Sequence, residues 1–258
     1  MTNAPDIQFL DRPDGEKIAY VRQDARPGKA SLVWLGGFKS DMDGTKALAL
    51  EAWARATGRG LLRFDYYGHG ASSGDFEEGT IGRWREDALA VIDTLTEGPQ
   101  ILVGSSMGGW ISLLTAKERA ERLAGMLLIA PAPDFTSDLM WPSFSEDVRQ
   151  QILEIGKFEE PSPYDDEVFI VTRKLIEDGK NWSVLGKPIP FDGPVRILQG
   201  MLDDSVPWDH ARKCVDVLTS EDIVFTLIKN GDHRLSSGPE LARLISTAEA
   251  LAAQIEAA

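Results

Sequence analysis

The chain has 258 residues, 43% of them hydrophobic, and a formal charge of −14, which fits one large α/β domain with an insertion and requires no second full domain. That acidity repels phosphate backbones and anionic membranes, no local basic patch offsets it, and no apolar run approaches the ~18 residues of a membrane span, so nucleic-acid binding and membrane-spanning classes are excluded. The lone cysteine, Cys214, can form no disulfide within the chain, and the start Met1-Thr2-Asn3-Ala4-Pro5-Asp6 lacks the basic and apolar regions of a signal peptide, so a cytoplasmic location is expected.

In chain order, Ile7 to Leu10 and Lys17 to Val21 predict short strands joined through Asp14-Gly15, a dipeptide suited to a tight hairpin turn. Ser31 to Leu35, Leu61 to Asp65, Ile101 to Gly104 and Gly125 to Ile129 are short apolar runs of the kind buried on both faces of a parallel sheet. Between them, Thr45 to Ala56, Ile81 to Thr96 and Gly108 to Arg119 have the length and spacing of crossover helices. The alternation resumes with Val195 to Gln199, Trp208 to Thr219, Ile223 to Ile228 and Leu241 to Ile255. Residues 132–192 differ: turn-forming Pro131 and Pro133 introduce them, and Pro142, Pro161, Pro163, Pro188 and Pro190 follow. They read as an inserted cap on a core of residues 1–131 and 193–258, with amphipathic helices predicted over Ser145 to Ile155 and Asp166 to Glu177.

Gly104-Ser105-Ser106-Met107-Gly108 joins an apolar strand to a helix, the setting of a G-x-S-x-G nucleophile elbow that exposes a serine hydroxyl above a sheet. Gly104 and Gly108 leave room for strand and helix to approach, and Ser106 is the candidate nucleophile. The Met107 N–H, at the helix start, faces any oxyanion formed there. A second donor is expected from Gly36-Gly37-Phe38, and the backbone N–H of Phe38 is the candidate. A serine needs a base, and His233, in the turn after the last predicted strand, is the best placed of the three histidines. His210 lies inside a predicted helix, where surface or packing roles are expected. The orienting acid lies between serine and histidine in sequence; Asp203 is preferred, with Asp204 and Asp232 as rivals. No ligand spacing for a metal is present, so no metal and no cofactor are expected.

Taken together, Gly44-Thr45-Lys46-Ala47, Gly104-Ser105-Ser106 with Gly108-Gly109-Trp110, Gly200-Met201 with Asp203-Asp204 and Val206-Pro207-Trp208, and Asp232-His233-Arg234 resemble the α/β-hydrolase superfamily of serine hydrolases. Within it the chain is most similar to the subgroup of alpha/beta hydrolase domain-containing protein ten, mitochondrial acyl-protein thioesterases and acyl-glucuronide esterases. No transit-like segment stands at the N-terminus, so a bacterial-type relative is expected. The resemblance implies a mostly parallel sheet with helices on both faces, a small helical cap, and a Ser106, Asp203, His233 triad. It also implies that the loop from Asp65 to Gly74, with His69, is a structural turn, and that acyl esters or thioesters, free or on a protein, are the substrate class. Trp110, Leu139, Met140 and Trp141 are candidates for an acyl pocket. A C–C bond hydrolase or peptidase with the same triad, and a non-catalytic scaffold, are the alternatives.

Overall fold

The apolar runs assemble as their pattern predicts, because strands buried on both faces need helices on each side of the sheet. The computed structural model describes residues 6–161 and 168–258. Its main sheet orders the strands β1 (Gln8–Asp11), β2 (Lys17–Gln23), β4 (Gly60–Phe64), β3 (Ser31–Leu35), β5 (Gln100–Ser105), β6 (Leu123–Ile129), β9 (Val195–Gly200) and β10 (Ile223–Ile228). The β1–β2 and β2–β4 pairs are antiparallel and the rest are parallel.

Alternate residues of the central strands face two cores. Val33 and Leu35 pack with Trp84 of α2 (Ile81–Leu95), Ile111 of α3 (Met107–Arg119) and Cys214 of α7 (Trp208–Val217). Leu32 and Trp34 pack with Leu50 of α1 (Thr45–Thr57) and Leu251 of α8 (Gly238–Glu256). The Thr80 hydroxyl caps α2 by accepting from the Arg83 N–H at 3.1 Å, and the Glu240 carboxylate at the start of α8 accepts from the Ser237 N–H at 2.8 Å. The parallel strands therefore end along one edge, where loops hold reacting groups.

The described residues of 132–192 add no strand to the main sheet. They hold a π-type turn at Thr136–Met140, the short α4 (Trp141–Ser143), α5 (Glu146–Ile155), an antiparallel pair of β7 (Lys157–Pro161) and β8 (Val168–Thr172), and α6 (Arg173–Gly179). Here the predicted helix over 166–177 is corrected. The run Val168-Phe169-Ile170-Val171-Thr172 is β-branched and aromatic and forms a strand. The helix begins only after Thr172, whose hydroxyl accepts from the Leu175 N–H. Asp166 and Pro163 lie outside the described residues, as do the first five residues of the chain.

The two ends of this excursion are tied to each other, and the excursion is tied to α2 of the core. The Asp134 carboxylate accepts from the Ser183 hydroxyl at 2.5 Å and from the Val184 and Leu185 N–H groups at 2.9 and 3.0 Å. Asp178 accepts from the Gly82 N–H of α2 at 2.8 Å. Its upper part has a small core of its own, Ile152, Val171 and Ile176.

Candidate active site

Ser106 sits between β5 and α3 with φ 53° and ψ −115°, a left-handed backbone that serine rarely adopts. The turn is possible because neither flanking glycine carries a Cβ: on Gly104 it would strike the Gly108 carbonyl, and on Gly108 the Leu35 carbonyl.

The Ser106 hydroxyl lies 3.1 Å from His233 Nε2, and His233 Nδ1 lies 2.8 Å from Asp203 Oδ2. Because the carboxylate accepts, Nδ1 carries the imidazole proton and Nε2 is left to accept from the serine. Asp203 is buried, and the Ser205 and Val206 N–H groups donate to its Oδ1 at 3.0 and 2.7 Å. The Gln199 amide donates to its Oδ2 at 3.0 Å, so both oxygens are held in place. The rivals do other things: Asp204 is exposed, and Asp232 accepts from the Leu235 N–H within its own turn. Gln199, fully buried, is a site residue that the sequence reading missed; its signal was a lone amide near the end of an apolar strand, Val-Arg-Ile-Leu-Gln-Gly.

Met107 begins α3 directly after Ser106, and Gly37, whose added Cβ would lie 3.5 Å from Ser106 Cβ, brings the Phe38 loop beside the serine. An open cavity of about 700 Å³ lies over this group, lined on its apolar part by Phe38, Phe135, Leu139, Met140, Phe144 and Phe169. Two pocket expectations are corrected. Trp110 is fully buried, donates its indole N–H to the Trp182 carbonyl at 3.1 Å and sets its ring edge-on to Phe135, one layer behind the cavity. Trp141 is also absent from the lining and packs edge-on against Phe144 beneath the Arg149 guanidinium.

His210 is a packing residue: its Nε2–H donates to the Pro133 carbonyl at 2.7 Å, joining α7 to the start of the excursion. Burial pushes the Cys214 thiol up to about 12. Lys46 lines the cavity and donates to the Arg234 carbonyl; burial, then the nearby Arg234 charge, pushes its ammonium down to about 8. Among the described residues no group of three or more His, Cys, Asp or Glu could hold a metal ion.

Burial pushes the His69 imidazole from 6.5 down to about 4, against a hydrogen bond to the Tyr67 carbonyl that favours the charged form. The unfolded chain takes up this proton near pH 6.5 and the folded chain refuses it until about pH 4. The group's contribution is therefore complete above pH 6.5 and is lost as pH falls through about 4, a loss of up to about 3 kcal/mol. Asp65 and Asp87, each pushed up to about 6 chiefly by burial, act in the opposite sense, so the informative quantity is a difference between proteins. Between about pH 7 and about pH 4.5 the change in Tm for wild type should be more negative than that for His69→Phe. Equal changes in thermal scans of the two would contradict this.

The sequence profile of the Alpha/beta hydrolase family matches residues 28–251. The chain belongs to the alpha/beta hydrolase family. Palmitoyl-protein thioesterase ABHD10, mitochondrial, of Homo sapiens is 37% identical to this hydrolase over 247 residues, 95% of this chain and 79% of that one. Among solved structures, a putative hydrolase from Agrobacterium vitis S4 shares 44% identity at a TM-score of 0.91, covering 97% of this chain and all of that one. Alpha/beta hydrolase domain-containing protein 10 from mouse shares 34% at a TM-score of 0.88, covering 97% and 99%. The resemblance read from the motifs thus extends over nearly the whole chain. Among the described residues of the hydrolase, no helix is long and apolar enough to cross a membrane.

Proposed function

We propose that this hydrolase is a serine thioesterase or carboxylesterase that works through Ser106, His233 and Asp203 and an acyl-enzyme. The observation that carries the reading is the pair of contacts from Ser106 Oγ to His233 Nε2 at 3.1 Å and from His233 Nδ1 to Asp203 at 2.8 Å, beneath an open cavity. In the reaction, the serine proton passes to His233 Nε2 as Oγ attacks the acyl carbonyl. The carbonyl oxygen, now negative, takes hydrogen bonds from the Phe38 and Met107 N–H groups, and Asp203 stabilises the imidazolium. His233 then gives the proton to the departing thiolate or alkoxide. Water repeats the sequence on the acyl-serine, and the acid leaves.

Residues 132–192 act as the cap, and the apolar lining from Phe38, Phe135, Leu139 and Met140 takes the acyl chain. The relatives named as palmitoyl-protein thioesterases support an acylated protein or a small acyl thioester as substrate. The compartment we propose for the hydrolase is the cytoplasm, whereas the ABHD10 relatives are named mitochondrial.

The test is a panel of p-nitrophenyl esters and acyl thioesters of graded chain length, set beside diketones and peptide amides, with fluorophosphonate labelling in parallel. Turnover of esters or thioesters with label on Ser106 is expected. Turnover of a diketone or an amide alone would replace the reading with C–C bond hydrolysis or peptidase activity. Silence on every substrate with no labelling would leave a binding scaffold.

A further inference from the structure

The loop that carries Phe38 is braced from outside the catalytic group. Lys39, the next residue, holds φ 59° without being glycine, a conformation that persists only where the surroundings over-determine it. Its N–H donates to His69 Nε2 at 3.1 Å. His69 belongs to a different segment, the glycine-rich loop after β4, and it is buried at 4% exposure.

The geometry also specifies which ring nitrogen carries the proton. His69 Nδ1 lies 3.1 Å from the Tyr67 carbonyl, which can only accept, so Nδ1 is the donor. Nε2 then keeps its lone pair, and only this tautomer serves both partners. The ring has little room to turn, because Tyr66, Phe76 and Trp84 meet it edge-on at centroid distances of 5.9, 5.1 and 5.2 Å. The Trp84 indole N–H donates to the same Tyr67 carbonyl at 3.0 Å. The Phe38 ring rests on Phe76 and Trp84 as well, at 5.1 and 5.9 Å, so imidazole and oxyanion loop share one aromatic floor.

We propose that His69 is a positioning residue for the oxyanion hole: its Nε2 lone pair anchors the Lys39 N–H, and this holds the adjoining Phe38 N–H on the oxygen that becomes negative. The proposal rests on the reading of Phe38 as an oxyanion donor. A bond to Lys39 N fixes the Phe38–Lys39 peptide plane, which leaves the preceding N–H less freedom to swing away from Ser106. Burial pushes the imidazole down to about 4, so the ring is uncharged and the acceptor present near neutral pH.

The test compares His69→Phe, which keeps a flat ring and removes the acceptor, with His69→Gln, which returns an acceptor near the Nε2 position. With a p-nitrophenyl ester, His69→Phe should lower kcat by about 10- to 100-fold with KM little changed, since a donor displaced by about 1 Å weakens the transition state more than the ground state. Affinity for a trifluoromethyl ketone, whose adduct carries an oxyanion, should fall with kcat, while affinity for the product acid should hold. His69→Gln should recover most of both. Equal losses in the two variants, or a His69→Phe enzyme within twofold of wild type, would overturn the proposal. If His69→Phe fails to fold, ¹⁵N shifts of the wild-type His69 ring decide: a protonated Nε2 overturns the proposal, and a protonated Nδ1 supports it. Ser106→Ala separates the two levels, because full activity in that variant defeats the triad itself, whereas an inactive Ser106→Ala beside a fully active His69→Phe defeats only the role of His69.

Discussion

Replacing Ser106 with alanine should lower kcat on an activated ester by about 10⁴-fold or more. The Ser106 hydroxyl lies 3.1 Å from His233 Nε2, and without it His233 has no nucleophile to deprotonate. The N–H groups of Phe38 and Met107 remain, so slow attack by water at a polarised carbonyl sets the residual rate. Stability should change little, because alanine meets the same strain at φ 53° that serine already bears. Steady-state and single-turnover kinetics, with thermal scans as a control for folding, check both halves. Near-full activity in the variant would remove Ser106 from the mechanism.

The exchange Asp203→Asn should cost about 10³- to 10⁴-fold in kcat through the tautomer of His233 rather than through lost charge alone. Two backbone donors, the N–H groups of Ser205 and Val206, face Oδ1, so the amide oxygen of an asparagine must stay on that side. Its NH₂ group is thereby turned toward Gln199 and His233. Gln199 cannot answer by rotating its amide, because its Nε2 also donates to the Gly200 and Val206 carbonyls at 3.2 and 3.0 Å, so two NH₂ groups meet at this point and some stability is lost. His233 can respond only by accepting at Nδ1, which moves its proton to Nε2, and an Nε2–H cannot take the serine proton. The change therefore costs some stability, which thermal scans would read, and its larger effect falls on catalysis. Asp204→Asn, at an exposed carboxylate, should stay within about twofold of wild type and serves as the control. A fall in Asp204→Asn with an active Asp203→Asn would reverse the assignment.

Much of the fold was legible in residue patterns because its signals are local. The strand at Ile223–Ile228 matches its apolar run residue for residue, and Ser31–Leu35 does the same. The Gly104 and Gly108 spacing announced the elbow because a close backbone approach leaves no alternative residue type. Residue patterns mislead where two periods overlap. Val168 to Thr172 has the β-branched content of a strand, and the residues after Thr172 have helical spacing, so the two together resemble one amphipathic helix. The pocket fared likewise: Leu139 and Met140 line the cavity, while their neighbour Trp141 turns to Phe144. Adjacent residues on a helical turn point in different directions, and only the packing partner says which one faces inward.

The sequence by itself determined the α/β alternation, the elbow serine, the histidine in the last turn and a short list of acids, because each of these is written within a few consecutive residues. Only the tertiary structure decided which aspartate meets His233, since that contact spans 30 residues and the serine contact spans 127. It alone placed Gln199 under Asp203 and His69 under the Phe38 loop, and it alone set Trp110 behind the cavity rather than in it. A hydrogen bond between distant segments depends on where the strands end and on which side chains close packing leaves facing each other, and no local pattern contains that information.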